Sequence, residues 1–68
     1  MADHVYSLTE IVGTSPDGVE AAINNAIAKA RTTLRNLDWF EVQNIRGHLD
    51  DDAVADWQVT LKIGFRLD

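Results

Sequence analysis

Ala55-Asp56-Trp57-Gln58-Val59-Thr60-Leu61-Lys62-Ile63-Gly64-Phe65-Arg66-Leu67 is the stretch that decides the fold. Every odd position from Ala55 to Leu67 is apolar, while the even positions are Asp, Gln, Thr, Lys, Gly and Arg. A period of two is that of a β-strand with one face in a core and the other polar. Working outward, Leu49-Asp50-Asp51-Asp52-Ala53 is rich in turn-forming acids and reads as a hairpin connection to a preceding strand at 39–49. That strand carries Phe40 and Val42 on one parity and Ile45 and Leu49 on the other. A bulge near Gln43-Asn44 would bring all four to the core. Trp39, Glu41, Arg46 and His48 would then share the polar face with Gln58.

Further upstream, Thr14-Ser15-Pro16-Asp17-Gly18 reads as a helix start, with Ser15 as cap, Pro16 at the first helical position and Asp17 at the positive end of the dipole. Val19, Ala22, Ile23, Ala26, Ile27, Ala30 and Leu34 follow at spacings of three and four, giving a one-sided helix that rests on a sheet and stops at Asn36. Residues 4–12 are rich in β-branched and aromatic side chains and predict a first strand ended by Gly13; its imperfect alternation leaves the buried face open. The order strand, helix, strand, strand predicts an α+β unit, a three-stranded antiparallel sheet with one helix on one face. The other face is left bare, and other subunits, a ligand or both are expected to meet it.

At 68 residues the chain has room for one domain, spanning 1–68. A domain so short hides only about 60% of the surface its unfolded chain exposes. It has no cysteine, and His4 and His48 are too far apart for a zinc-binding spacing, so oligomerisation is the remaining source of extra stability. The hydrophobic fraction is 46%, and no apolar run approaches the roughly 20 residues needed to cross a bilayer, so a soluble protein without a membrane partner is expected. Met1-Ala2-Asp3-His4 shows neither a basic nor an apolar leader region, which points to the cytoplasm. A net charge of −5 argues against nucleic acid.

For chemistry, no serine sits beside a recognisable base motif. Asp50-Asp51-Asp52 reads as a solvated turn. The Gly13–Gly18 segment lacks both the P-loop lysine and the third glycine of a dinucleotide fingerprint. His48, on a strand and without a partner, reads as a polar surface residue rather than a general base. The polar face is more informative. A planar heteroaromatic ligand needs a flat apolar surface to stack on and planar polar groups to read its edge. Trp39 can supply the surface, the Gln58 carboxamide a donor and an acceptor, and Arg46 a planar cation. By themselves these residues are weak evidence, because a tryptophan at a strand start is more often core or interface.

The residues Glu10-Ile11-Val12-Gly13-Thr14-Ser15, Ala21-Ala22-Ile23, Leu37-Asp38-Trp39-Phe40-Glu41-Val42, Ile45-Arg46-Gly47-His48, Trp57-Gln58-Val59 and Gly64-Phe65-Arg66-Leu67 resemble the dodecins, closely the bacterial ones, over nearly the whole chain. The resemblance implies a β-α-β-β protomer whose sheet wraps the helix, and a hollow homododecamer with a tetrahedral arrangement of trimers. It also implies two flavins lying antiparallel across a two-fold axis between the tryptophans of two subunits, with a glutamine on the isoalloxazine edge. Those roles fall on Trp39 and Gln58, and Arg46 becomes a second edge contact or a phosphate contact. Bacterial members often carry a basic residue near the N-terminus for the ligand phosphate; Asp3-His4 stands there instead, which makes Tyr6 and Arg66 the substitutes. His48 completes the candidate flavin-binding set. The implied function is binding, storage and sequestration of flavin, FMN in a bacterial member with riboflavin or FAD as alternatives, photoprotection by stacking, and no enzymatic activity. The rival is a structural or coenzyme A-binding shell in which flavin is secondary.

Overall fold

The computed structural model describes residues 3–67; Met1-Ala2, part of the segment read above for a leader, and Asp68 lie outside them. Four elements follow one another: β1 (Val5–Ser15), α1 (Val19–Ala30), β2 (Leu37–Asp50) and β3 (Ala53–Leu67). They form the expected three-stranded antiparallel sheet, in the order β1-β3-β2, with α1 on one face. The strand with unbroken alternation is therefore central. Val59, Leu61 and Ile63 are its buried side chains, at 0–1% exposure, each contributing about 1.5–3 kcal/mol through removal from water. Ala22 and Ala26 of α1 pack on Val59 and Leu61, flanked by Ile11, Val19, Ile23 and Ile27.

β1 does not stop at Gly13. It runs on to Ser15, with Gly13 buried opposite Val59. A Cβ at Gly13 would run into the carbonyl oxygen of Ala22 and the methyl of Ala26. The glycine marks the close approach of helix and strand rather than a strand end. The helix start is displaced as well. The Ser15 hydroxyl accepts the Asp17 N–H at 3.0 Å within the connecting turn. Gly18, at φ 136°, is the residue before the first helical turn, and no side chain caps it. Pro16 thus shapes the turn, not the first helical position. At the other end α1 closes at Ala30, earlier than Leu34 implied, and the Thr32 hydroxyl donates to the Lys29 carbonyl at 2.7 Å. Asn36, at φ 63°, makes the reversal into β2.

Asp51 and Asp52 both take positive φ, 51° and 64°, between the paired residues Asp50 and Ala53. That is the two-residue turn whose twist matches an antiparallel ladder. The ladder of β2 and β3 is irregular in three places: Asp38 and Gln43 are extra residues in β2, and Ala55 is an extra residue in β3. The bulge at Gln43 has the expected effect on side, since Phe40, Val42 and Ile45 stand opposite Ile63, Leu61 and Val59. Burial does not follow. Phe40, Val42, Ile45 and Leu49 are 40–62% exposed, because α1 rests chiefly on β1 and β3. A 12-residue helix is about 18 Å long, whereas the molecule extends 56 Å. One helix cannot cover a hairpin of that length, and the helix-side face of β2 is left without a cover within the protomer.

Candidate functional site

The sheet face away from α1 gathers the residues singled out in the sequence, and the register fixes their places. Tyr6 of β1 pairs with Arg66 of β3, and Trp39 of β2 pairs with Gly64. Trp39 owes its side to the extra residue Asp38, which separates it from helix-side Leu37. Its six-membered ring lies over Gly64, where any Cβ would overlap it. Tyr6 meets the indole edge-on, with ring centroids 5.1 Å apart and planes at 65°. His4 stands edge-on to Tyr6 in turn, at 6.4 Å. Trp39 remains 40% exposed, so it is a platform with a solvent-facing surface rather than a core residue. Beside it a small polar pocket is lined by Tyr6, Asn36, Leu37, Asp38 and Arg66.

The remaining candidates lie elsewhere on the same face. Arg46 pairs with Gln58 and His48 with Asp56. The Arg46 Nε–H donates to Gln58 Oε1 at 3.1 Å. One carboxylate oxygen of Asp56 is buried and has no hydrogen-bond partner among the described residues. Between the two groups, Lys62 stands in register with Glu10 on one side and Glu41 on the other. Gly64 and Gln58 are six positions apart, which is about 20 Å along a strand. One chain therefore does not bring Trp39 and Gln58 together. It carries an aromatic cluster of Trp39, Tyr6 and Arg66 and a polar cluster of Arg46, Gln58 and His48, at opposite ends of one face.

Chemically, the aromatic end offers a fixed, half-exposed indole to a planar ring, and the polar end offers amide and guanidinium donors to the edge of one. Two participants escaped the sequence reading, Gly64 and the bulge at Asp38. Gly64 left a signal, since a glycine inside an otherwise apolar–polar strand marks close approach of another group. Asp38 left none, because a single extra residue at a strand start breaks no pattern.

Fold and face together define a small α+β protomer with a helix on one side of its sheet and an aromatic–polar surface on the other. The family model described as Dodecin matches residues 5–68. A dodecin from Thermus thermophilus is 56% identical over 64 residues, covering 94% of this chain and 93% of that protein. The solved dodecin of Streptomyces coelicolor superposes with a TM-score of 0.95 at 59% identity, covering 100% of this chain and 97% of the other. The dodecin of Streptomyces davaonensis does so with a TM-score of 0.95 at 60% identity, covering 98% of each. The chain belongs to the dodecin family.

Proposed function

We propose that this chain binds and sequesters flavin, FMN in the first place, within a shell of twelve copies in the cytoplasm, and that it does so without turning over a substrate. The observation that carries this reading is the seat of Trp39: an indole held on Gly64, steadied at its edge by Tyr6 and still 40% exposed on the sheet face. A surface tryptophan in water has little reason to be so fixed. A stacked planar ligand supplies one, worth about 1–3 kcal/mol per ring contact. The distance between the aromatic and polar clusters supports a site shared by two copies, with the Trp39 end of one meeting the Gln58 end of the other across a two-fold axis.

The residues present suit an isoalloxazine. Trp39 would stack on the ring, Gln58 would hydrogen-bond its edge with His48 alongside, and Tyr6 with Arg66 would meet the phosphate end through the polar pocket between them. A bound flavin supplies a light-absorbing, electron-accepting ring. The Trp39 indole would set an electron-rich group against that ring, which would shorten the lifetime of its excited state and so protect the cell from photochemistry. The test is direct. The purified protein should be yellow and sediment as a dodecamer, and unfolding should release FMN. A colourless protein that takes up neither FMN nor riboflavin on titration, or a stable monomer, would overturn the proposal.

A further inference from the structure

Arg46 and Gln58 face each other across the β2–β3 ladder, and the contact between them has only one chemical form. A guanidinium has donors and no acceptor, so the amide atom 3.1 Å from Arg46 Nε is the oxygen. A free carboxamide is two-faced: by turning over it can offer either a donor or an acceptor to the same neighbour. Here its carbonyl is engaged, and among the described residues nothing is hydrogen-bonded to the Gln58 NH2 group. The pairing also polarises the amide, since a carbonyl that accepts from a cation leaves its N–H bonds better donors.

We infer that Arg46 is a positioning residue which acts through Gln58: it locks the carboxamide as a donor, so that the polar end of the face reads a ring edge by its acceptors, a carbonyl oxygen or an unprotonated ring nitrogen. This rests on the flavin reading above and adds to it. It assigns Arg46 neither to the phosphate nor to the ring, and it gives the site a direction of selectivity. A ring edge with acceptors is taken, and one presenting N–H at that point meets donor against donor.

Titrating FMN and riboflavin into the native protein and into Arg46→Met, Arg46→Lys, Gln58→Leu and the Arg46→Met/Gln58→Leu double variant tests this, with light scattering to confirm the assembly of each. Arg46→Met frees the amide, and affinity should fall by up to roughly tenfold, the order of one hydrogen bond. The factor should be equal for FMN and riboflavin, since only FMN carries a phosphate. Arg46→Lys should recover most of the loss, because an ammonium also only donates. In the Gln58→Leu background the Arg46→Met change should have no further effect. A loss confined to FMN would make Arg46 a phosphate contact, and losses that multiply in the double variant would make it an independent ligand contact; either overturns the inference, as does native affinity in Arg46→Met. Failure of the native protein to bind either flavin removes the flavin reading itself and the inference with it.

Discussion

Trp39 and Gly64 are cross-strand partners, and the indole occupies the volume that any side chain at position 64 would require. The strand gives up a side chain at position 64 so that an aromatic ring can lie against its backbone. Gly64→Ala should therefore displace the ring, at a cost of about 1–3 kcal/mol typical of forced insertion of a methyl group. Thermal unfolding should register that loss and flavin titration a parallel drop in affinity. Unchanged values in both would show that the ring moves aside freely and that its seat is unimportant.

Trp39→Ala removes the platform and leaves its support. Flavin affinity should fall by about 1–3 kcal/mol for each stacked face, while the assembly stays intact, because the ring is half-exposed and lies outside the helix-side core. Fluorescence titration together with sizing by light scattering checks both halves. Normal binding, or failure to assemble, would remove Trp39 from the ligand.

Gly13→Ala tests the other close approach in the fold. The new methyl group meets the main-chain oxygen of Ala22 before it meets the side chain of Ala26. Destabilisation of roughly 1–3 kcal/mol is expected in denaturant unfolding. A second change, Ala26→Gly, should not restore stability, since it clears the lesser obstacle. Rescue by Ala26→Gly would show that the helix backbone yields more readily than the geometry implies.

Ile45→Asp addresses the helix-side face of β2. Ile45 is 51% exposed and opposite Val59, so a charge there leaves the α1 packing untouched but would be buried wherever another copy covers that face. An unpaired buried charge is strongly disfavoured. Native-like circular dichroism with a much smaller particle in light scattering is expected. A full-sized assembly would mean that this face stays in water.

The elements were legible in the sequence because their signals are local. The alternation from Ala55 to Leu67 gave the central strand, and the parity change between Val42 and Ile45 gave the bulge at Gln43. Boundaries were less legible where one residue can serve two purposes. Ser15-Pro16-Asp17 has the composition of a helix cap but closes a turn, and Gly13 has the look of a strand end but serves helix packing. Burial of Phe40, Val42, Ile45 and Leu49 was overestimated because side is set by the ladder, while cover depends on the length of a helix elsewhere. The candidate ligand residues could be assigned to one face from parity alone. Parity alone did not divide them into two clusters; the division comes from the seven-residue separation of Trp39 and Arg46 along β2 and from the register that sets Gly64 and Gln58 opposite them.

The extra residue at Gln43 also constrains how this hairpin can change. Because Gln43 is the unpaired residue, its loss would set Asn44 directly after Val42 in a regular ladder, with Ile45 still opposite Val59 and Arg46 still opposite Gln58, whereas an uncompensated single change elsewhere in β2 exchanges the sides of the residues beyond it. A single loss is tolerable at the bulge itself, and elsewhere in the strand only when a second irregularity compensates it. In homologous hairpins of this kind a single-residue gap between Trp39 and Arg46 accordingly belongs between Val42 and Asn44.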